Sequence, residues 1–588
     1  MLNRTCPRRR RRRLAAPLAL AAVCAVPALA WSSLAAPPPG VWTPDQRNGS
    51  YLNPVLQGDY SDPDAIRVGK DFYLTSSSFA NVPGLPVLHS KDLVNWEIIG
   101  HALPRLAPVD HYRAPRRGGG VWAPAIRYHA GRFYIYYPDP DFGIYMVSAH
   151  NPAGPWSAPV LVDDAKGAID PCPFWDEDGK AWLIHAFAKS RAGKNNMLVL
   201  KPMSADGTHT LGEGRVVIDG AMLPPVATSL GMADWSVIEG PKLYKREGWY
   251  YIFAPADGVK NGWQAVFRSR RIDGPYVARD VMDQGPPDDL GPANGPHQGA
   301  LVDAPDGGSW FLHFQDTDSY GRRVWLEPVA WKDGWPVIGR EGANGIGRPV
   351  AGGKKPVAGQ PAAVPVAGDD FARGLNLGWQ WNANPGEDWA DATTPGELRL
   401  KAVPSSANLW EAGNVLAQKL PAMAFSVTTK ISLAPRNVGE RAGLVLMGRA
   451  YGFIGLVNTR DGVRVEQVVR DSAKNGDPET QVLADAPVTG PVWLKMTLEP
   501  YAHPTGPSQY RPQWPAMESL TDAKVRFSYS RDGVTYAPLG DGLISQPGEW
   551  VGAQFGLFAQ APMGTPGAAA VRNGVASFGP VRIGPAGL

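Results

Sequence analysis

The chain has 588 residues, more than one hydrophobic core normally organises, so two or three domains are expected. Hydrophobic residues make up 44% and charged residues 19%, a soluble globular balance, while 67 Gly, 58 Pro, 21 Trp, 19 Tyr and 17 Phe argue for short strands and tight turns over long helices. The net charge of +3 belongs to the first thirty residues, which hold seven Arg and no Lys, Asp or Glu; without them it becomes −4, and the case for a nucleic-acid partner goes with it.

Those thirty residues read as a signal peptide, 1–30. Arg8 to Arg13 form a basic region, Leu14 to Ala30 an apolar one, and Ala28-Leu29-Ala30 a cleavage site before Trp31. The apolar run is short for a membrane span and nothing later replaces it, so no membrane association is expected once it is removed. The mature protein is therefore expected outside the cytoplasm, periplasmic or extracellular. Cys6 and Cys24 lie in the signal, which leaves Cys172 alone and allows no internal disulfide.

From 31 to 345 one pattern recurs five times: an aliphatic strand, a Gly/Asp turn, then an aromatic-rich strand. The copies are Ile66 to Leu74, Ile126 to Ile135, Phe174 to Ile184, Leu243 to Ile252 and Leu301 to Leu312. Each reads as a hairpin. Repeats of about 60 residues suit a five-bladed β-propeller, a closed ring without exposed edges. Residues 346–367 are rich in Gly, Ala, Pro and Val and read as a linker. In 368–588, alternating runs such as Phe425 to Ile431, Ala442 to Met447, Trp493 to Leu498 and Val525 to Ser530 predict a β-sandwich of the jelly-roll kind. The fold class is all-β.

Ten to thirteen residues upstream of each aromatic strand stand, in turn, Asp62, the segment Val121-Trp122-Ala123-Pro124, Asp170, Glu239 and His297. Equivalent positions in a ring of blades point to one place, the mouth of the central channel. Singly, each has a bland reading: Asp-Pro at Asp62 and Asp170 is common in turns, and His297 alone reads as structural. Together, three carboxyls, an indole and an imidazole suit glycoside hydrolysis. One carboxyl donates a proton to the leaving oxygen, and another activates water or attacks the anomeric carbon. A third raises the proton affinity of the acid, and the indole offers a sugar a flat apolar wall.

The segments carrying these residues resemble glycoside hydrolase family 43. They are Tyr60-Ser61-Asp62-Pro63-Asp64, His89-Ser90-Lys91-Asp92-Leu93-Val94-Asn95-Trp96, Gly119-Gly120-Val121-Trp122-Ala123-Pro124, Ile169-Asp170-Pro171-Cys172, Ile238-Glu239-Gly240-Pro241-Lys242 and Gly295-Pro296-His297-Gln298-Gly299. The resemblance implies an inverting hydrolase releasing terminal pentose, α-L-arabinofuranose or β-D-xylose, from an oligosaccharide or polysaccharide. It implies Asp62 as general base, Glu239 as general acid and Asp170 as the residue that tunes and orients the acid, the working carboxyls about 6.5–9.5 Å apart. Trp122 and Phe79 would line the sugar pocket, and Arg322, beside Arg323, would contact the sugar. His297 matches a channel histidine that holds a structural calcium ion largely through water, and no organic cofactor is implied. Asp369-Asp370-Phe371 and Leu377 to Asn382 are similar to the opening strand of the accessory sandwich of family β-xylosidases, which either lends a loop to the pocket or binds carbohydrate itself. Ala80-Asn81-Val82-Pro83-Gly84, where well-known β-xylosidases carry bulkier aromatics, leaves the choice of pentose open.

Rival readings are a non-catalytic carbohydrate-binding propeller, which the presence of all three carboxyls disfavours, and another exo-glycosidase such as a β-fructosidase or a galactan-active enzyme. A β-fructosidase requires an Asn-Asp-Pro-Asn type motif, and this chain has Tyr60-Ser61-Asp62-Pro63-Asp64 instead. The oligomeric state is left open.

Overall fold

A computed structural model describes residues 41–285, 295–342, 344–502, 521–564 and 573–587. The expected signal peptide lies outside the described residues. Five antiparallel sheets form a propeller, and each begins with one of the five hairpins. The first blade comprises Asp64–Val68, Asp71–Thr75, Gly84–Ser90 and Trp96–Leu103, and the second Ala125–His129, Arg132–Asp139, Gly143–Ala149 and Val160–Asp163. The third comprises Ala168–Trp175, Ala181–Phe187, Met197–Met203 and Arg215–Asp219. The fourth comprises Lys242–Arg246, Trp249–Ala256, Trp263–Ser269 and Val277–Met282, and the fifth His297–Asp303, Ser309–Asp316, Arg322–Lys332 and Trp335–Ile338.

Turn chemistry and alternation explain the hairpins. Ala130-Gly131 and Glu247-Gly248 are two-residue loops with positive φ at both positions, the turn whose twist matches that of the strands. Strand Trp249–Ala256 then sends Ile252, Ala254 and Ala256 into a core shared with the third blade, and Tyr251 and Phe253 into one shared with the fifth. One strand thus feeds two interblade cores, each fully buried large side chain contributing about 1.5–3 kcal/mol. The first and fifth blades meet through their inner strands, and Leu56 and Val324 exchange both backbone hydrogen bonds at the seam.

The segment that follows the fifth blade lies along the propeller. Gly352–Lys354 pairs with Ser50–Leu52, and the buried Lys355 ammonium bonds Asp45 at 2.5 Å and Asp92 at 2.8 Å. Beyond it stands a sandwich of two antiparallel-dominated sheets. One is built on Val415–Lys419, Gln554–Pro562, Arg441–Met447, Tyr451–Thr459 and Gly462–Arg470, the other on Phe425–Ala434, Val492–Ala502 and Thr521–Ser530. Their facing sides enclose Leu444, Ile454, Phe555, Val427, Leu494 and Phe527.

The sandwich docks on loops of the first, second and fifth blades. Val82 and Trp381 exchange backbone hydrogen bonds, Asn384 bonds Leu106 in both directions, and the Tyr320 hydroxyl donates to Met423 O. These loops flank the channel mouth, so the second domain stands over one side of it.

Candidate active site

The strand order puts the residues just before each inner strand at one end of the channel. There Asp62, Phe79, Trp122, Asp170, Glu239 and Arg322 line one pocket, with Ala123, Ile169, Val259, Gln298 and Trp550. The expected carboxyls therefore converge from the first, third and fourth blades.

Asp62 is buried, with φ +54°. Its Oδ2 accepts from the Ser61 and Ser77 hydroxyls at 2.7 and 2.5 Å. The Arg322 guanidinium lies 3.1 Å from Oδ1 and also donates to Ser61 Oγ at 2.7 Å. Every partner of this carboxyl is a donor, an environment made for an acceptor. Of the two adjacent arginines, Arg322 enters the pocket, whereas Arg323 turns to Thr317 Oγ1.

Asp170 sits in an irregularity of the inner strand, where register is lost between Ile169 and Cys172, with φ +56°. Its Oδ2 accepts from Gly240 N at 2.8 Å, which ties it to the residue after Glu239. Burial, then the charges of Glu239 and Asp62, holds its proton affinity well above the ordinary carboxylate range. Between Asp170 and Glu239, Glu239 is the more accessible, its side chain 21% exposed while Asp170 is 4% exposed, so it is the one that can reach a ligand.

His297 stands behind Glu239, its Nε2 3.4 Å from Oε1, and it is buried against Phe314. Among the described residues, neither ring nitrogen has a hydrogen-bond partner. One imidazole and one carboxylate supply too few oxygens for direct calcium ligation, and no group of three or more His, Cys, Asp or Glu among the described residues fits a metal.

The aromatic walls come from three places. Phe79 (φ +48°) and Val121 exchange backbone hydrogen bonds across the gap between the first two blades. This close approach requires Gly120, since a Cβ there would lie 2.4 Å from Phe79 O. Trp122 follows, its ring 6.4 Å from Phe79 and its Nε1 donating to Gly118 O. The third wall is Trp550, from the sandwich, 6.1 Å from Trp122 and 5.8 Å from the Arg322 guanidinium. Its loop is fastened by Gly552 N to Asp59 Oδ2 (2.9 Å) and Ala553 N to Ser319 O (2.7 Å). Of the two roles expected for the accessory domain, the structure shows the loop in the pocket. Trp550 lies outside the repeats, and of the two neighbours His297 and Gln298 the repeated offset singles out only His297.

A profile for glycosyl hydrolases family 43 matches residues 51–336, and one for the β-xylosidase C-terminal concanavalin A-like domain matches 368–572. A Formosa agariphila β-xylosidase is 34% identical over 71% of this chain and 76% of its own. A Bacteroides ovatus non-reducing end α-L-arabinofuranosidase is 32% identical over 76% and 83%. The crystal structure of a family 43 protein of Bacillus licheniformis superposes with a TM-score of 0.73 at 26% identity, covering 91% of this chain and 100% of the other. A propeller with three carboxyls at its mouth, joined to this sandwich, is the shared plan: the chain belongs to glycoside hydrolase family 43, and its substrate is an oligosaccharide or polysaccharide.

Proposed function

We propose that the enzyme removes single terminal pentoses, α-L-arabinofuranose or β-D-xylose, from hemicellulose-derived glycans with inversion. The contrast between the carboxyls carries this reading. Asp62, surrounded by donors, is suited to accept a proton from water. The accessible Glu239 is placed to give a proton to the leaving oxygen, beside the buried Asp170, whose proton affinity is raised. Arg322 orients Asp62 and the sugar, and Asp170 acts on Glu239 through charge and through Gly240. Phe79, Trp122 and Trp550 cover apolar faces of one sugar residue, a blind wall that favours attack at chain ends. Relatives named for β-xylosidase and for α-L-arabinofuranosidase activity support the pentose class. The same reading includes export to the periplasm or medium and a structural calcium ion at His297 held through water, which a chelator would remove with loss of thermal stability.

The test is hydrolysis of nitrophenyl α-L-arabinofuranoside and nitrophenyl β-D-xyloside, with proton NMR of the first-formed anomer. Asp62→Ala is expected to lose activity on both kinds of leaving group. Glu239→Ala is expected to lose far more on an alkyl or sugar leaving group than on nitrophenol, which needs little acid help. A retained anomeric configuration, or equal losses on all leaving groups in Glu239→Ala, refutes the assignment.

A further inference from the structure

Five pocket residues other than glycine hold a left-handed backbone: Asp62 (+54°), Phe79 (+48°), Asp170 (+56°), Gln298 (+39°) and Trp550 (+63°). Asp tolerates this region through local hydrogen bonding; Phe, Gln and Trp do not, and such positions store strain. Four of the five already have a part in the site. Gln298 has none assigned.

Its placement repeats that of Asp170. The inner strand of the fifth blade pairs His297 with Phe314 and then Gly299 with His313, so Gln298 is the extra residue of a bulge. A bulge bends a strand and re-aims one side chain. Here it directs Gln298 into the pocket, where the carboxamide lies against Gly240: a Cβ on that glycine would sit 2.8 Å from Gln298 Cγ and Cδ. Gln298 is 2% exposed, and its Nε2 has no hydrogen-bond partner among the described residues. A buried donor left unpaired is costly, as is the backbone that presents it. A side chain held at that cost against Gly240, in the pocket that Glu239 also lines, has the chemistry of a hydroxyl receptor.

We propose that Gln298 is a specificity-determining residue that binds a hydroxyl of the terminal sugar through its carboxamide. The proposal rests on the exo-glycosidase reading above but not on which pentose is preferred. A hydroxyl both donates and accepts, as a carboxamide does, so one ring hydroxyl satisfies Nε2. The contact also braces Gly240, whose N–H donates to Asp170.

The experiment takes whichever aryl glycoside the wild type turns over, its series of monodeoxy analogues, and Gln298→Met, which keeps length without a donor. Gln298→Leu replaces it should that variant not fold, as judged by thermal melting. In the wild type, one deoxy position is expected to lose roughly tenfold to a hundredfold in kcat/KM. The variant is expected to lose a similar factor on the parent glycoside and to show no penalty at that one deoxy position, with the other penalties intact. Unchanged penalties at every position in a folded variant, or wild-type kcat/KM on the parent, overturn the assignment. Failure of the wild type on every pentoside but turnover of a hexoside would sink the pentose reading alone, and the same comparison on that hexoside still decides Gln298.

Discussion

Gly552→Ala tests whether the second domain takes part in the chemistry. The added Cβ would stand 2.6 Å from Gly321 N, 2.8 Å from Gly321 Cα and 2.9 Å from Tyr320 C, all backbone atoms that cannot rotate away. Restoring a contact of 3.4 Å requires the loop to retreat by roughly 0.8 Å, which stretches the Gly552 N–Asp59 bond and draws Trp550 back from Trp122 and Arg322. Displacements near 1 Å in a catalytic constellation cost about a hundredfold, so kcat/KM is expected to fall tenfold to a hundredfold. The folded state loses only about 1 kcal/mol for the hydrogen bond. The assay is a double-mutant cycle on a nitrophenyl glycoside with Trp550→Ala, Gly552→Ala and the pair. If both changes act through one indole, the pair is no worse than the more damaging single change. Additive losses, or a Gly552→Ala enzyme with wild-type kcat/KM, would refute the argument.

Two further outcomes concern stability. Glu466 is fully buried in the sandwich, with Oε2 bonded to Gln481 and Oε1 without a partner, and burial pushes its carboxyl up to about 7. The unfolded chain ionises near the ordinary value of 4.5. The folded state therefore has its full stability below that pH and loses it as pH rises through 7, by at most about 3 kcal/mol. Glu466→Gln is expected to flatten this dependence, with thermal midpoints converging at pH 4.5 and the variant higher at pH 8; parallel curves would disprove it. Lys355→Met leaves Asp45 and Asp92 as buried carboxylates without their shared cation. It should cost about 3–5 kcal/mol in denaturant unfolding, and a loss below about 1 kcal/mol would show the pair to be dispensable.

What the sequence reveals of this molecule follows the distance over which each feature is determined. The inner hairpins are legible because a two-residue turn such as Glu247-Gly248 and the alternation beside it are encoded within ten residues. The three carboxyls are legible because the ring repeats, and the same offset in each blade leads to the same end of the channel. The behaviour of 346–367 is not local. Its composition suggests a spacer, yet Lys355 is held by Asp45 and Asp92, which no neighbouring residue announces. Gln298 is hidden for another reason: its direction is set by a one-residue slip in pairing, and slips leave little trace in composition. Trp550 is hidden because its partners lie on a different fold, where a Gly-Glu-Trp-Val-Gly turn looks like any other sandwich loop.

That last residue gives the chain a built-in delay. Asp62 is made early in synthesis, Asp170 and Glu239 follow, and Trp550 is made near the end. A propeller folding as it emerges has its carboxyls in place but lacks one wall until the sandwich has folded and met the loops carrying Asp59 and Ser319. Catalytic maturity is thus tied to completion of the second domain, and a nascent or truncated chain is an open cup rather than a closed one.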